Sequence, residues 1–223
     1  MAVSIRQRAR NTEHKLERRE ALLAAARELW DLGTYESTTM AGIGQRAGVS
    51  KATVYLYFDT KEQLLLEILR EKLDSWFSSI DAALDASFGS WSSDRAAREI
   101  ALSFEGRRSL VRLLSALESV IEYNVDVDTL RVFKRWLGGR MTATGQRLER
   151  RITFLRPGDG VRILVQMRAF LLGLAVMTSP SPAVERVIAD DRTLSMFALD
   201  FDREFTDGLR TLLRGYEAGG AST

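Results

Sequence analysis

Residues 38 to 58, TTMAGIGQRAGVSKATVYLYF, constrain the fold more than any other stretch, because they carry two helix-sized apolar patterns parted by a single glycine. Thr38 or Thr39 can cap the first helix, whose Met40, Ile43 and Ala47 recur at helical spacing on its inner side. Gly48 stands where that helix must stop and reverse, a position that needs positive φ and so favours a residue without Cβ. Val49 can pack beneath the turn. Ser50 can cap a second helix, whose Val54 and Phe58 stand four apart on one face. At about 100° per residue, Ala52 and Leu56 then fall nearly opposite Val54, with Thr53, Tyr55 and Tyr57 on the flanks. SKATVYLYF alone would also suit a half-buried helix with tyrosines in the core. A short helix with Lys51, two tyrosines and an outward leucine is nevertheless odd as a surface helix and suits the major groove of DNA.

The flanks extend this pattern. Upstream, Leu22, Ala26 and Leu29 precede Gly33, a C-cap glycine, and predict a first helix over roughly 13–32. Downstream, Thr60, Lys61, Glu62 and Gln63 form a capping box ahead of LLLEILREKL. Three helices thus precede a long fourth. From Leu16 to Trp76 the chain resembles the DNA-binding domain of the tetracycline-repressor (TetR) family of bacterial transcriptional regulators. The resemblance rests on Thr38, Thr39, the run Ala47 to Lys51, Tyr55, Tyr57, Phe58, Thr60 and Lys61. Ala52 and Leu56 depart from the family's frequent glycine and histidine, and both lie on the outward side of the second helix, where they bear on operator sequence rather than fold.

The resemblance implies a DNA-binding domain over 16–76, with the helix-turn-helix at about 39–58. DNA contacts are then expected from Thr39, Gln45, Arg46, Ser50, Lys51, Ala52, Thr53, Tyr55, Leu56, Tyr57 and Lys61. Among these, Lys51, Tyr55, Tyr57 and Lys61 suit phosphates, because hydroxyl and ammonium donors at the helix flanks face the backbone. Leu56 suits apolar contact with a base, or else packing against its own protein near Thr38.

Charge is nearly balanced at 32 basic against 30 acidic residues, yet residues 1–60 hold 9 Lys/Arg and 7 Asp/Glu, so the whole excess of +2 lies there. Arg6, Arg8, Arg10, Lys15, Arg18 and Arg19 make residues 1–15 and their continuation a basic leader. It is either a flexible tail or an arm for phosphates and a minor groove. With no cysteine there is neither a disulfide framework nor a thiol sensor, and with one histidine, His14, the usual Cys/His metal sets do not arise. No metal and no cofactor are expected. The amino-terminal residues lack the apolar stretch of a secretory leader, and the longest apolar run, Ala169 to Met177, is shorter than the roughly 20 residues of a membrane span. A cytoplasmic protein without a membrane partner is the expectation.

Beyond Leu73 the periodicity is helical throughout and the predicted fold class is all-α. Helices are expected near 107–122, from about 128 to 155, over 161–178 and over 201–216, with RPGDG at 156–160 a loop and 218–223 a loose tail. The resemblance implies that residues 77–217 form a domain that binds a small hydrophobic effector and makes a homodimer on a palindromic double-stranded operator, the last two long helices pairing with those of a second subunit. Carried onto this chain, the pocket walls would be Leu117, Ile121, Phe133, Trp136, Met141, Met167 and Phe170. The dimer surface would include Met167, Leu174, Phe201, Phe205, Leu209 and Leu212. Each of these also reads as ordinary core. The other classes open to such a chain are an all-α enzyme and a helical protein-binding adaptor, but no triad, paired catalytic carboxylates, phosphate loop or metal set supports a catalytic role, and none is expected.

Overall fold

The computed structural model describes the backbone over residues 2–220 and side chains over 13–219. Among the described residues all regular structure is helical: α1 (Ala2–Leu32), α2 (Met40–Arg46), α3 (Lys51–Tyr55), α4 (Lys61–Ala86), α5 (Ser93–Leu102), α6 (Arg108–Ser119), α7 (Val127–Arg151), α8 (Asp159–Met177), α9 (Pro182–Asp190) and α10 (Phe201–Gly220). Two short 3₁₀ turns lie at Ile121–Tyr123 and Arg192–Phe197. The all-α class expected from periodicity is the class observed.

Two helices differ from the sequence expectation by more than their ends. Helix α1 begins at Ala2 rather than near residue 13, because the stretch before it contains the good helix formers Arg6, Gln7, Arg8, Ala9 and Arg10 and neither glycine nor proline. The side chains of Arg6, Arg8 and Arg10, proposed for a minor groove, lie outside the described residues. Helix α5 does not stand out in the sequence because its buried face is made of Ser93, Ala96 and Ala97 with Ile100, so small residues rather than large apolar ones mark it.

The chain forms two compact units, Met1–Lys72 with Leu113–Leu130, and Leu73–Arg112 with Arg131–Thr223. The expected boundary near 76 misses the second piece of the first unit. Leu113, Leu114, Leu117 and Ile121 are buried, and Thr60 Oγ1 donates to the carbonyl of Asn124 at 3.3 Å. Leu22, Ala26, Trp30, Ile43, Val54, Phe58, Leu64, Leu65 and Ile68 are buried around helices α1 to α4. Ion pairs Arg19–Glu67, Arg27–Glu71 and Lys72–Asp31 run along α1 and α4 in step. They fix the register more than they stabilise, since exposed pairs contribute about 0–1 kcal/mol each.

In the second unit, α7 and α8 cross where Gly145 and Gly160 meet. A Cβ on Gly160 would lie 2.1 Å from the Gly145 carbonyl oxygen, so only glycine allows that approach. Gly158, at φ +95°, breaks the chain ahead of α8, and Glu149 accepts from the N–H groups of Gly158 at 2.8 Å and Gly160 at 3.0 Å. Helix α4 meets α7 through a buried hydrogen bond, Thr144 Oγ1 donating to Asp81 Oδ1 at 2.6 Å, with Arg140 and Arg147 reaching the same carboxylate at 3.7 and 3.9 Å. Asp81 therefore keeps partners inside a core that would otherwise penalise its charge. Helix α10 is tied to α5 by Ser93 Oγ donating to Glu217 at 2.7 Å, and by Arg210 and Arg214 on Asp94 at 3.2 and 3.1 Å.

By length and composition α8 is a helix that could cross a membrane. Its inner face, Ile163, Leu164, Met167, Leu171 and Leu174, is buried in the protein, as expected of a core helix.

Candidate nucleic-acid interface

The α2–α3 unit is built by its ends. Thr38 is fully buried and its hydroxyl donates to the Thr34 carbonyl at 2.9 Å, so it anchors the entry rather than capping. Thr39 is the cap of α2, its hydroxyl accepting from the Gly42 N–H at 3.1 Å. At the other end Gly48 takes φ +68°, its N–H donates to Gln45 O at 3.2 Å, and the Val49 N–H donates to Gly44 O at 2.8 Å. Those paired bonds, 6→1 around 5→2, are a Schellman motif and absorb the last carbonyls of α2. Ser50 then caps α3, accepting from the Thr53 N–H at 3.1 Å.

Gly44 was not singled out from the sequence, and it governs how closely the two helices pack. A Cβ there would lie 2.9 Å from Val49 O and 3.2 Å from Val54 Cγ2. The available signal was the glycine itself: inside a seven-residue helix it costs about 1 kcal/mol relative to alanine, which close backbone approach explains. Gly48 has the opposite requirement, with nothing within 4 Å of its virtual Cβ and only its positive φ demanding glycine.

With Val54 and Phe58 buried, α3 turns Lys51, Ala52, Tyr55 and Leu56 outward, and Thr53 and Tyr57 are half-buried at the flanks. Leu56 is 78% exposed. It does not pack near Thr38, and that alternative is corrected: four-residue spacing commits Val54 and Phe58 to the core and leaves Leu56 on the opposite side. Lys51 Nζ stands 5.8 Å from the centroid of the Tyr55 ring. Thr39, Gln45 and Ser50 are exposed near the same turn.

Two expected DNA contacts are engaged elsewhere. Arg46 is exposed, but its Nε donates to Glu28 of α1 at 2.7 Å, so its charge is neutralised locally and it links α2 to α1. Lys61 is half-buried: its ammonium donates to the Tyr35 carbonyl at 2.7 Å and sits 3.5 Å from the centre of the Tyr35 ring. Tyr35 in turn donates to the buried Glu62. Burial, then the hydrogen bond to Glu62 and the charges of Glu62 and Glu36, push the Tyr35 phenol up to about 12. The capping box also closes differently. Thr60 Oγ1 accepts from the Gln63 N–H at 3.2 Å, while Gln63 Oε1 reaches back to the N–H of Asp59, at 2.9 Å, rather than to Thr60.

The expected pocket residues divide between the two units. Leu117 and Ile121 are fully buried in the first, and Phe133 and Met167 are buried in the second, with Trp136 and Met141 half-buried there. Phe133 and Trp136 have ring centroids 5.8 Å apart. Phe170 is 38% exposed, lies against Gly208 of α10 and stacks on Phe205 at 6.1 Å.

The residues expected at a dimer surface face inward in the protomer. Met167, Leu174, Phe205 and Leu209 are buried within a single protomer and Phe201 and Leu212 half-buried, because α8 and α10 spend their strongest apolar stripe on their own unit. In α10 the buried series is Phe205, Leu209 and Leu213. Left outward on α8 are Val165, Phe170, Val176 and Met177.

Comparison with known proteins places these features. Residues 22–68 match the model of bacterial regulatory proteins of the tetR family, and residues 70–220 match the tetracyclin repressor-like C-terminal domain. The chain is 30% identical over 168 residues to the HTH-type transcriptional regulator BetI of Agrobacterium fabrum, covering 73% of this chain and 77% of that protein. It is 37% identical over 76 residues to the HTH-type transcriptional repressor KstR of Mycobacterium tuberculosis, covering 34% of this chain and 33% of KstR. To the HTH-type transcriptional activator FasR of Mycolicibacterium smegmatis it is 40% identical over 68 residues, 30% of this chain and 31% of FasR. The chain spans only 36% and 31% of the length of the first two curated relatives it matches.

Proposed function

The chain belongs to the tetracycline-repressor family of bacterial DNA-binding transcriptional regulators, and on that premise we propose that it is a ligand-responsive repressor acting as a homodimer on a palindromic operator. The observation that carries the reading is the outward face of α3, where Ala52 and Leu56 stand opposite the buried Val54 between donors Lys51 and Tyr55. Leu56 meets a thymine methyl group, while Thr39, Ser50, Thr53, Tyr55 and Tyr57 offer hydroxyls, and Gln45 its amide, to the DNA. The relatives' names include a repressor, KstR, and an activator, FasR, so transcription itself decides the sign of regulation.

The effector is a small hydrophobic molecule held by the carboxy-terminal unit, whose Phe133, Trp136, Met141 and Met167 are its candidate lining. Release is a population shift, in which the ligand binds more tightly to a dimer whose recognition helices no longer match half-sites one helical turn, roughly 34 Å, apart. The protein has no catalytic role and works where bacterial DNA lies, in the cytoplasm. A mobility shift on the DNA upstream of its own gene, joined to transcription of that DNA in vitro, tests the reading. Bound DNA and falling transcript support it; rising transcript reverses the sign, and no shift at low salt removes the DNA contact itself.

A further inference from the structure

Residues 179–200 link α8 to α10 and carry their own local structure. Pro182 opens α9, the Ser181 hydroxyl accepts from the Val184 N–H at 3.4 Å, and Asp191 starts the following 3₁₀ turn by accepting from the Thr193 N–H at 2.8 Å. Yet no residue of α9 or of that turn is buried. Val184 and Val187 stand three apart on α9, Val187 is 57% exposed, and Met196 and Phe197 are 70% and 56% exposed. A nine-residue helix is marginal alone in water and takes its stability from packing an apolar face. Within one protomer α9 packs on that turn, with Ile188 and Leu194 half-buried, and this leaves Val187, Met196 and Phe197 exposed.

Three observations select the occupant. The segment lies inside the residues matched by the carboxy-terminal family domain, so it is part of the domain. Its apolar side chains continue the outward set of α8, which ends on the exposed Val176 and Met177 immediately before it. Its charges, Glu185, Asp190, Asp191 and Asp200 against Arg186 and Arg192, leave it net acidic and without attraction for phosphates or anionic lipid, whereas α8, with Arg162 and Arg168 against Asp159, is net basic. We propose that residues 179–200 form an arm that packs on a second copy of this chain, closing Val187, Met196 and Phe197 over the outward α8 face around the partner's Phe170 and Val176. The arm rests on the homodimer reading and adds to it a named segment that the protomer's own core does not need.

The test is sedimentation equilibrium on the full chain and on the double variant Val187→Ser, Phe197→Ser, with circular dichroism of both. The arm predicts a dimer dissociation constant raised at least about tenfold, with helix content unchanged because neither side chain is buried in the protomer. A parent chain that is monomeric at micromolar concentration overturns the dimer and the arm together. A dimeric parent with the same dissociation constant in the variant overturns the arm alone. Neutral phosphatidylcholine vesicles serve as a second probe: binding by the parent that the variant loses, with dimerisation unchanged, assigns the segment to a lipid surface and also overturns the arm.

Discussion

The α2–α3 face and the α8–α10 face both leave large apolar side chains in water, but the two differ in what holds the rest of each element in place. In the first, a cap at each helix, a Schellman turn and two buried residues, Val54 and Phe58, fix a short helix so that Leu56 has nowhere else to point. Mixed with lysine and hydroxyl donors, a lone outward leucine suits a groove whose floor is largely polar. In the second, long amphipathic helices have already buried one full stripe, and Phe170, Val176 and Met177 are what remains on the other side. An apolar remainder of that extent, with few donors among it, suits a protein partner. The position of the surplus, and the polar groups around it, separate the two faces better than hydrophobicity does.

The largest effect should separate inner from outer positions on the carboxy-terminal helices. Phe205→Glu places a carboxylate at a site 1% exposed, between Phe104, Phe170 and Phe201, and should unfold the second unit at a cost of more than about 3 kcal/mol. Val176→Glu, at an exposed site, should leave urea denaturation of the protomer unchanged and weaken only the dimer. Equal unfolding by both would erase the distinction between the two stripes.

Next come the two glycines of the amino-terminal turn. Gly44→Val should cost roughly 3 kcal/mol by forcing α2 from the turn, and Gly48→Ala about 1 kcal/mol through its positive φ alone. Thermal melts of the two variants check the order. If Gly48→Ala is the more damaging, conformation rather than close approach governs the unit.

At the base of α4 the Tyr35–Glu62 contact makes a pH prediction. A phenol raised from 10.0 to about 12 contributes stability that is fully present below pH 10 and is lost as pH rises through about 12. Ultraviolet titration of the folded protein should show one tyrosine ionising near 12, and Tyr35→Phe should remove that step. Retention of the step in the variant would assign it to another phenol.

Smaller effects are expected on the DNA face itself. Leu56→His should change the preferred base at one position of each half-site, worth about 1–3 kcal/mol of discrimination, with the melting temperature nearly unchanged at so exposed a site. Selection that returns the same sequence for both proteins would remove Leu56 from recognition. Lys61→Ala should lower the salt slope of binding by at most about one, because the ammonium already spends a donor on Tyr35 and has the others left for phosphate. An unchanged slope would make Lys61 wholly structural.

Where the sequence was legible, local rules had no competitor. Gly48 and Ser50 follow from chemistry that acts over three or four residues, which also narrows the first cap to Thr38 or Thr39, and the backbone bonds agree with it. Arg46 and Lys61 do not follow from it, since Glu28 and Tyr35 lie 18 and 26 residues away and nothing in the spacing announces those contacts. On α8 and α10 the period was right but the share of it facing inward was not, because a stripe wide enough for two faces does not say which part the protomer keeps. Helix α9 was missed for a related reason: Val184, Val187 and Ile188 make too short an apolar run between prolines and acidic residues, and none is buried in the protomer's own core.

The most direct test is selection of bound DNA from a random pool by the full chain, followed by the mass of the complex on the enriched sequence. A dimeric helix-turn-helix regulator should yield an inverted repeat with half-site centres about one helical turn apart, occupied by an even number of protomers. No enriched sequence, or an asymmetric site held by a single protomer, would contradict it.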